Sequence, residues 1–159
     1  MLSKLKSHWW LALAPVLFAA HVAEEAPGYV RWFNSIVGTP IPESGFVAAQ
    51  LQPFLAAMFL GVAAAVTGNR WAALILMIWA SHFFFANAVY HLVASVALVT
   101  YSPGLVTGTL LYLPFFYRLA KHLAARGIAV WALVLLVFFA SLPSFIQTYM
   151  VVFERRRFY

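Results

Sequence analysis

From Trp9 to Phe153 the chain is an almost unbroken string of apolar residues, cut into runs only at a few joints. Five runs can be drawn, at roughly 9–25, 46–67, 71–99, 104–117 and 128–153. Crossing bilayer hydrocarbon takes about 20 residues of helix, so the second, third and fifth are long enough and the first and fourth are short. Turn chemistry marks the joints: Thr67-Gly-Asn-Arg70, Ser102-Pro-Gly104 and Arg126-Gly127. Pro15 predicts a bent approach into the first helix, and Pro114 a kink near the end of the fourth. Residues 26–45 form the one long polar excursion. There Pro27-Gly28, Gly38, Pro40 and Pro42 break regular structure, and Trp32-Phe33 suit the headgroup region.

Composition excludes the soluble alternative. Only 9% of the 159 residues are charged while 65% are hydrophobic, against about a quarter charged in soluble domains. The expectation is therefore an all-α integral membrane protein, a single domain of about five transmembrane helices. The first run carries ionisable residues and lacks a small-residue cleavage site, so it reads as a retained helix and not a signal peptide. With no cysteines, disulfides, thiolate metal sites and cysteine nucleophiles are excluded together. A net charge of +6 fits contact with anionic membrane lipids. Nucleic acid is not expected, because nothing outside the membrane would carry a groove.

Basic residues set the orientation. Lys4, Lys6, Arg70, Arg118, Lys121 and Arg126 fall at one set of helix ends, and Arg31, Arg155, Arg156 and Arg157 at the other. The larger set places the N-terminus in the cytoplasm, as expected for a prokaryotic cytoplasmic membrane. The C-terminal arginines would then face outward, towards a partner, unless one run fails to span.

Polar residues gather at one depth. At about 1.5 Å per residue, His21 and Glu25 lie roughly 18 and 24 Å from Trp9, and Asn87 and His91 roughly 24 and 30 Å from Trp71. Asn87, His91 and Ser95 make one stripe at four-residue spacing. The same half holds Gln50, Gln52, Thr107, Thr109, Tyr112, Ser141, Ser144 and Gln147. Unpaired polar groups in lipid cost several kcal/mol each, so this distribution implies a lined cavity open towards one leaflet.

His21-Val-Ala-Glu24-Glu25, Trp32-Phe33, Asn87-Ala-Val-Tyr-His91, Tyr101-Ser-Pro103-Gly104 and Pro114 occur in an order and spacing that resemble the HXXEE family of small bacterial and archaeal membrane proteins. The resemblance covers roughly residues 10–118. It implies a multi-span membrane protein and carries no activity with it, so residue roles rest on chemistry.

Two imidazoles, two carboxylates and an amide suit a divalent metal, iron, zinc or manganese, with His21, Glu25, Asn87 and His91 as ligands. Without metal the same groups suit acid/base work, with His21, Glu24, Glu25 and His91 as the catalytic set. Glu25, four residues from His21, is expected to be the more buried glutamate. Glu24 is expected to meet Arg31 or to relay protons in the cavity. Tyr101, Gln147 and Asn87 are candidate substrate contacts. A bland reading is also open: the cluster is a polar network fixing helix register. His82, about 180° from His91 on an α-helix, reads as a packing or interhelical histidine, and His8 and His122 as interfacial.

The resulting expectation is an intramembrane enzyme acting on a lipidic or isoprenoid-like hydrophobic small molecule. The alternative is a non-catalytic subunit that binds a pigment, quinone or lipid, or bridges membrane-protein partners. A transporter would need a homo-oligomer, since no inverted repeat is present.

Overall fold

The computed structural model describes residues 8–38 and 40–156; Lys4, Lys6 and Arg157, used above for orientation, lie outside them. All regular elements among the described residues are helical. A 3-10 turn, Trp9–Leu13, leads into α1, Ala14–Glu25, with Pro15 in its first turn, where a missing N–H costs nothing. After α2, Tyr29–Ile36, come α3, Leu51–Thr67, and α4, Arg70–Leu98. Residues 105–124 form α5 and Val130–Val152 form α6. Among the described residues three helices, Glu43–Thr67, Arg70–Leu98 and Val130–Val152, are long and apolar enough to cross a membrane.

Two features depart from the sequence expectation. The stretch after Pro27-Gly28 is not irregular, because eight residues free of breakers stand between Gly28 and Val37 and wind as α2. Phe33 on α2 is buried in one cluster with Tyr90 and Ala94 of α4 and Val151 and Val152 of α6. The fourth run does not stop at Tyr117 but continues to Ala124. Its cations are carried along aromatic faces, Arg118 over Trp10 at 4.6 Å and Lys121 over Tyr117 at 5.5 Å.

Both α4 and α5 contain a π turn, at Ser81–Ala86 and Gly108–Tyr112. In α5 it directly precedes Pro114, whose ring cannot accept the usual α-helical neighbour and whose nitrogen has no hydrogen to give. In α4 the widened turn holds one residue more than an α turn, which rotates everything beyond it by about 100°.

Small residues bring α1 and α3 together. Ala57, Gly61 and Ala64 line one buried face of α3. A Cβ on Gly61 would come within 2.8 Å of the Leu11 carbonyl oxygen, so a backbone passes where any larger residue would have to stand. Close approach is the main source of association energy between helices in lipid, where burial from water contributes little. Outside, α3 exposes Leu51, Leu55, Phe59 and Val62, and α6 exposes Val130, Trp131, Val134 and Phe139. Apolar residues cover the surface while histidine, glutamate and serine are buried, an arrangement suited to hydrocarbon and not to water.

One end of the bundle is tied by Arg126, which donates to the Gly68 carbonyl and, at 2.6 Å, to His8 Nε2. His122 packs edge-on against His8 and Trp10 at the same end. The opposite end carries the cluster of acids and imidazoles.

Candidate metal centre and adjoining cavity

His21 and Glu25 stand one turn apart near the end of α1, and His91 faces them from α4. Glu25 Oε1 lies 3.5 Å from His21 Nε2 and 3.2 Å from His91 Nε2, with all three side chains buried. Each residue offers one donor atom, and the three atoms fall within 4.8 Å of one another. Neither contact is a hydrogen bond, and both Nε2 atoms are buried without a hydrogen-bond partner. At 3.2 Å the separation itself would permit a bond for His91, so it is the direction of the ring nitrogen that fails.

The far side of each ring is held by a hydroxyl. His91 Nδ1 lies 2.8 Å from Ser102 Oγ, and His21 Nδ1 lies 2.7 Å from Thr107 Oγ1. Thr107 has one hydroxyl proton, and at 2.5 Å it donates that proton to Glu24 Oε2. Its oxygen must therefore accept from His21 Nδ1–H, which leaves Nε2 of a neutral His21 as a bare lone pair aimed at the cluster.

Glu24 stands beside this cluster and not within it. Its oxygens accept from the Tyr101 hydroxyl, from the backbone N–H groups of Gly104 (3.0 Å), Val106 (3.1 Å) and Thr107 (2.8 Å), and from the Thr107 hydroxyl. It thus caps the start of α5 from another helix, a favourable place for a carboxylate. The expected Arg31 partnership is absent: Arg31 donates to its own Pro27 carbonyl at 2.5 Å. Glu25 is the more buried of the two, at 5% exposure.

Gly104 closes the site. Its φ of +104° belongs to glycine, and a Cβ there would sit 2.7 Å from His91 Nε2 and 2.8 Å from His21 Cε1. The Ser102-Pro-Gly104 joint thus supplies a hydroxyl and a bare backbone face to the two rings. Tyr112, buried on α5, packs its ring on His21 at 4.5 Å.

Glu25 also reaches a second space, a cavity of about 180 Å³ whose polar lining includes Asn87, His82, Gln50, Ser144 and Gln147. Asn87 and Gln147 therefore share a cavity with Glu25, while Tyr101 is exposed and bonded to Glu24. The Asn87 Oδ1 atom is buried without a hydrogen-bond partner. Tyr29 and Tyr90 line the same cavity and bond to each other at 3.4 Å. Burial pushes the Tyr29 phenol well above its ordinary range, so it stays a neutral hydroxyl.

In the sequence Ser102 and Gly104 mark only a turn, Thr107 shows no partner, and α-helical spacing sets His82 about 180° from His91. His82 does bond across helices, its Nδ1 lying 2.8 Å from Ser144 Oγ on α6. The π turn between His82 and His91 removes about 100° of the expected 180° separation, which explains how His82 also reaches the cavity.

Residues 12–119 match the family model described as a protein of unknown function with HXXEE motif. The chain belongs to the HXXEE family. His21, Glu24 and Glu25 are the motif's named positions in this chain, and the matched stretch also contains His91, Ser102, Gly104 and Thr107. No curated protein and no solved structure matches the chain.

Proposed function

We propose that this HXXEE protein is an intramembrane metalloenzyme in which His21, Glu25 and His91 hold one divalent ion and act on a small molecule in the adjoining cavity. One observation carries the reading: two ring nitrogens and a carboxylate oxygen converge while none is hydrogen-bonded to another. Donors about 2.1 Å from a shared tetrahedral ion stand about 3.4 Å apart, and the two nitrogen–oxygen edges here are 3.5 and 3.2 Å. Two imidazoles and one carboxylate suit zinc, iron or manganese and leave coordination positions for substrate or water. Such an ion would supply Lewis-acid chemistry. The chain's own part is to aim the rings, through Ser102 and through Thr107 backed by Glu24, and to present Glu25 to both spaces.

Five spans fit this reading, with α1 and α5 inserted among the three helices that are long enough alone. The end bearing Gly68, Arg70, Arg118, Lys121 and Arg126 then faces the cytoplasm of a prokaryotic cell, and the centre lies in the outer half of the membrane. Elemental analysis of gently purified protein tests the proposal. About one equivalent of a transition metal is expected, falling at least tenfold in His91→Ala and Glu25→Gln. Metal-free wild-type protein that takes up none of the three metals would overturn it and leave the cluster as a register-fixing network.

A further inference from the structure

The cavity beside Glu25 has a chemical bias that says what it takes. Its lining contains one carboxylate and no lysine or arginine, so no side chain of the cavity would pair with the charge of a phosphate or carboxylate head. Besides Glu25, the Asn87 Oδ1 atom is buried with no partner, a costly state that a ligand's hydrogen-bond donor would relieve. At the same cavity His82 has Nδ1 engaged by Ser144, which leaves Nε2 for a ligand. A volume of about 180 Å³ is small for a whole lipid but sufficient for a polar head.

Gln50 lines the cavity and also lines a groove of about 380 Å³ between α1 and α3, whose walls include Phe18, Val22, Leu51 and Phe54. A polar chamber and an apolar groove that share a residue match a molecule with a polar head and a hydrocarbon tail. We infer that the cavity is the head-group site for an uncharged, hydroxyl-bearing amphiphile whose tail lies in the Phe18–Phe54 groove, with His82 and Asn87 gripping the hydroxyl. This rests on the metalloenzyme reading only for what happens next to the bound head; the site itself stands on the cavity.

The test uses the full chain in lipid nanodiscs and a long-chain primary alcohol carrying a photoreactive group midway along its tail. Crosslinks should map to the α1–α3 groove and be displaced by 1-dodecanol, but not by dodecane or dodecanoate at equal mole fraction. His82→Leu should weaken labelling about tenfold, the scale of one lost hydrogen bond, while keeping its metal content. Asn87→Leu serves in its place if that variant does not fold. Equal competition by dodecane or dodecanoate, or undiminished labelling in the folded variant, would overturn the inference. Specific labelling of a protein that holds no metal would sink the metal centre and leave the head-group site intact. Metal without specific labelling would do the reverse.

Discussion

Gly104 lies so close to His91 that a single added carbon would fall 2.7 Å from the ring's Nε2 and Cε1 atoms. A backbone rarely approaches an imidazole this way unless the ring's far side is also fixed, and Ser102, two residues earlier, does the fixing. Gly104→Ala should therefore act twice. Forcing a side chain into a positive-φ position costs about 1–2 kcal/mol, and the clash costs about another 1–3 kcal/mol. The displaced ring should also weaken binding of the proposed ion. Equilibrium unfolding in detergent and metal content check both effects, with Gly45→Ala as the neutral control, since nothing lies within 4 Å of that position.

Thr107 links two motif residues through one oxygen, accepting from His21 and donating to Glu24. Thr107→Val keeps the shape and removes the link. The His21 ring then loses the acceptor that fixes its proton on Nδ1, so affinity for the proposed ion should fall about 10- to 100-fold, the usual effect of removing a partner that orients a ligating imidazole. Competition against a chelator of known affinity measures it. Unchanged affinity would show that His21 is held by packing against Tyr112 alone.

Val99 ends α4 with φ 51° and ψ 43°, a left-handed conformation that suits glycine and penalises a β-branched residue. The residue is 92% exposed, so no burial offsets the strain. Val99→Gly should raise stability by about 0.5–1 kcal/mol, relief of backbone strain outweighing the greater freedom of glycine in the unfolded chain. Unfolding curves in detergent decide the sign; a loss of stability would mean that the left-handed turn is not strained.

The membrane class and the meeting of His21, Glu25 and His91 were legible because both rest on helical arithmetic: run lengths, and offsets of three and four within one α-helix. What escaped sequence reading rests on departures from that arithmetic. The π turn at Ser81–Ala86 re-aims His82 relative to His91, and no propensity marks it in Ser-His-Phe-Phe-Phe-Ala. Glu24 found its partner in the N–H groups of a helix some eighty residues later, a long-range capping relation with no local signature. Ser102-Pro-Gly104 announced a turn, but that the turn lies on two imidazoles is a fact of packing.

Glu24 and Tyr101 give the site a measurable alkaline limb. The phenol donates to the carboxylate, and chiefly for that reason its pKa is pushed up to about 12. Ionising Tyr101 would set two negative oxygens against each other, so the proton is held more tightly in the folded chain than at the usual value near 10. A raised pKa contributes stability that is fully present below about pH 10 and is lost as pH rises through about 12. Tyr101 is half-exposed, so solvent screens the effect and the slope should be shallow. Glu24→Gln should return the Tyr101 titration towards 10 and flatten that limb. It should also weaken the cap on α5, because an amide cannot match a carboxylate that gathers five donors. That loss is about 1–3 kcal/mol at neutral pH. Ultraviolet titration of wild type and Glu24→Gln, each compared with Tyr101→Phe to isolate the one phenol, checks the shift. An unchanged Tyr101 titration in Glu24→Gln would show that burial and not the carboxylate sets it.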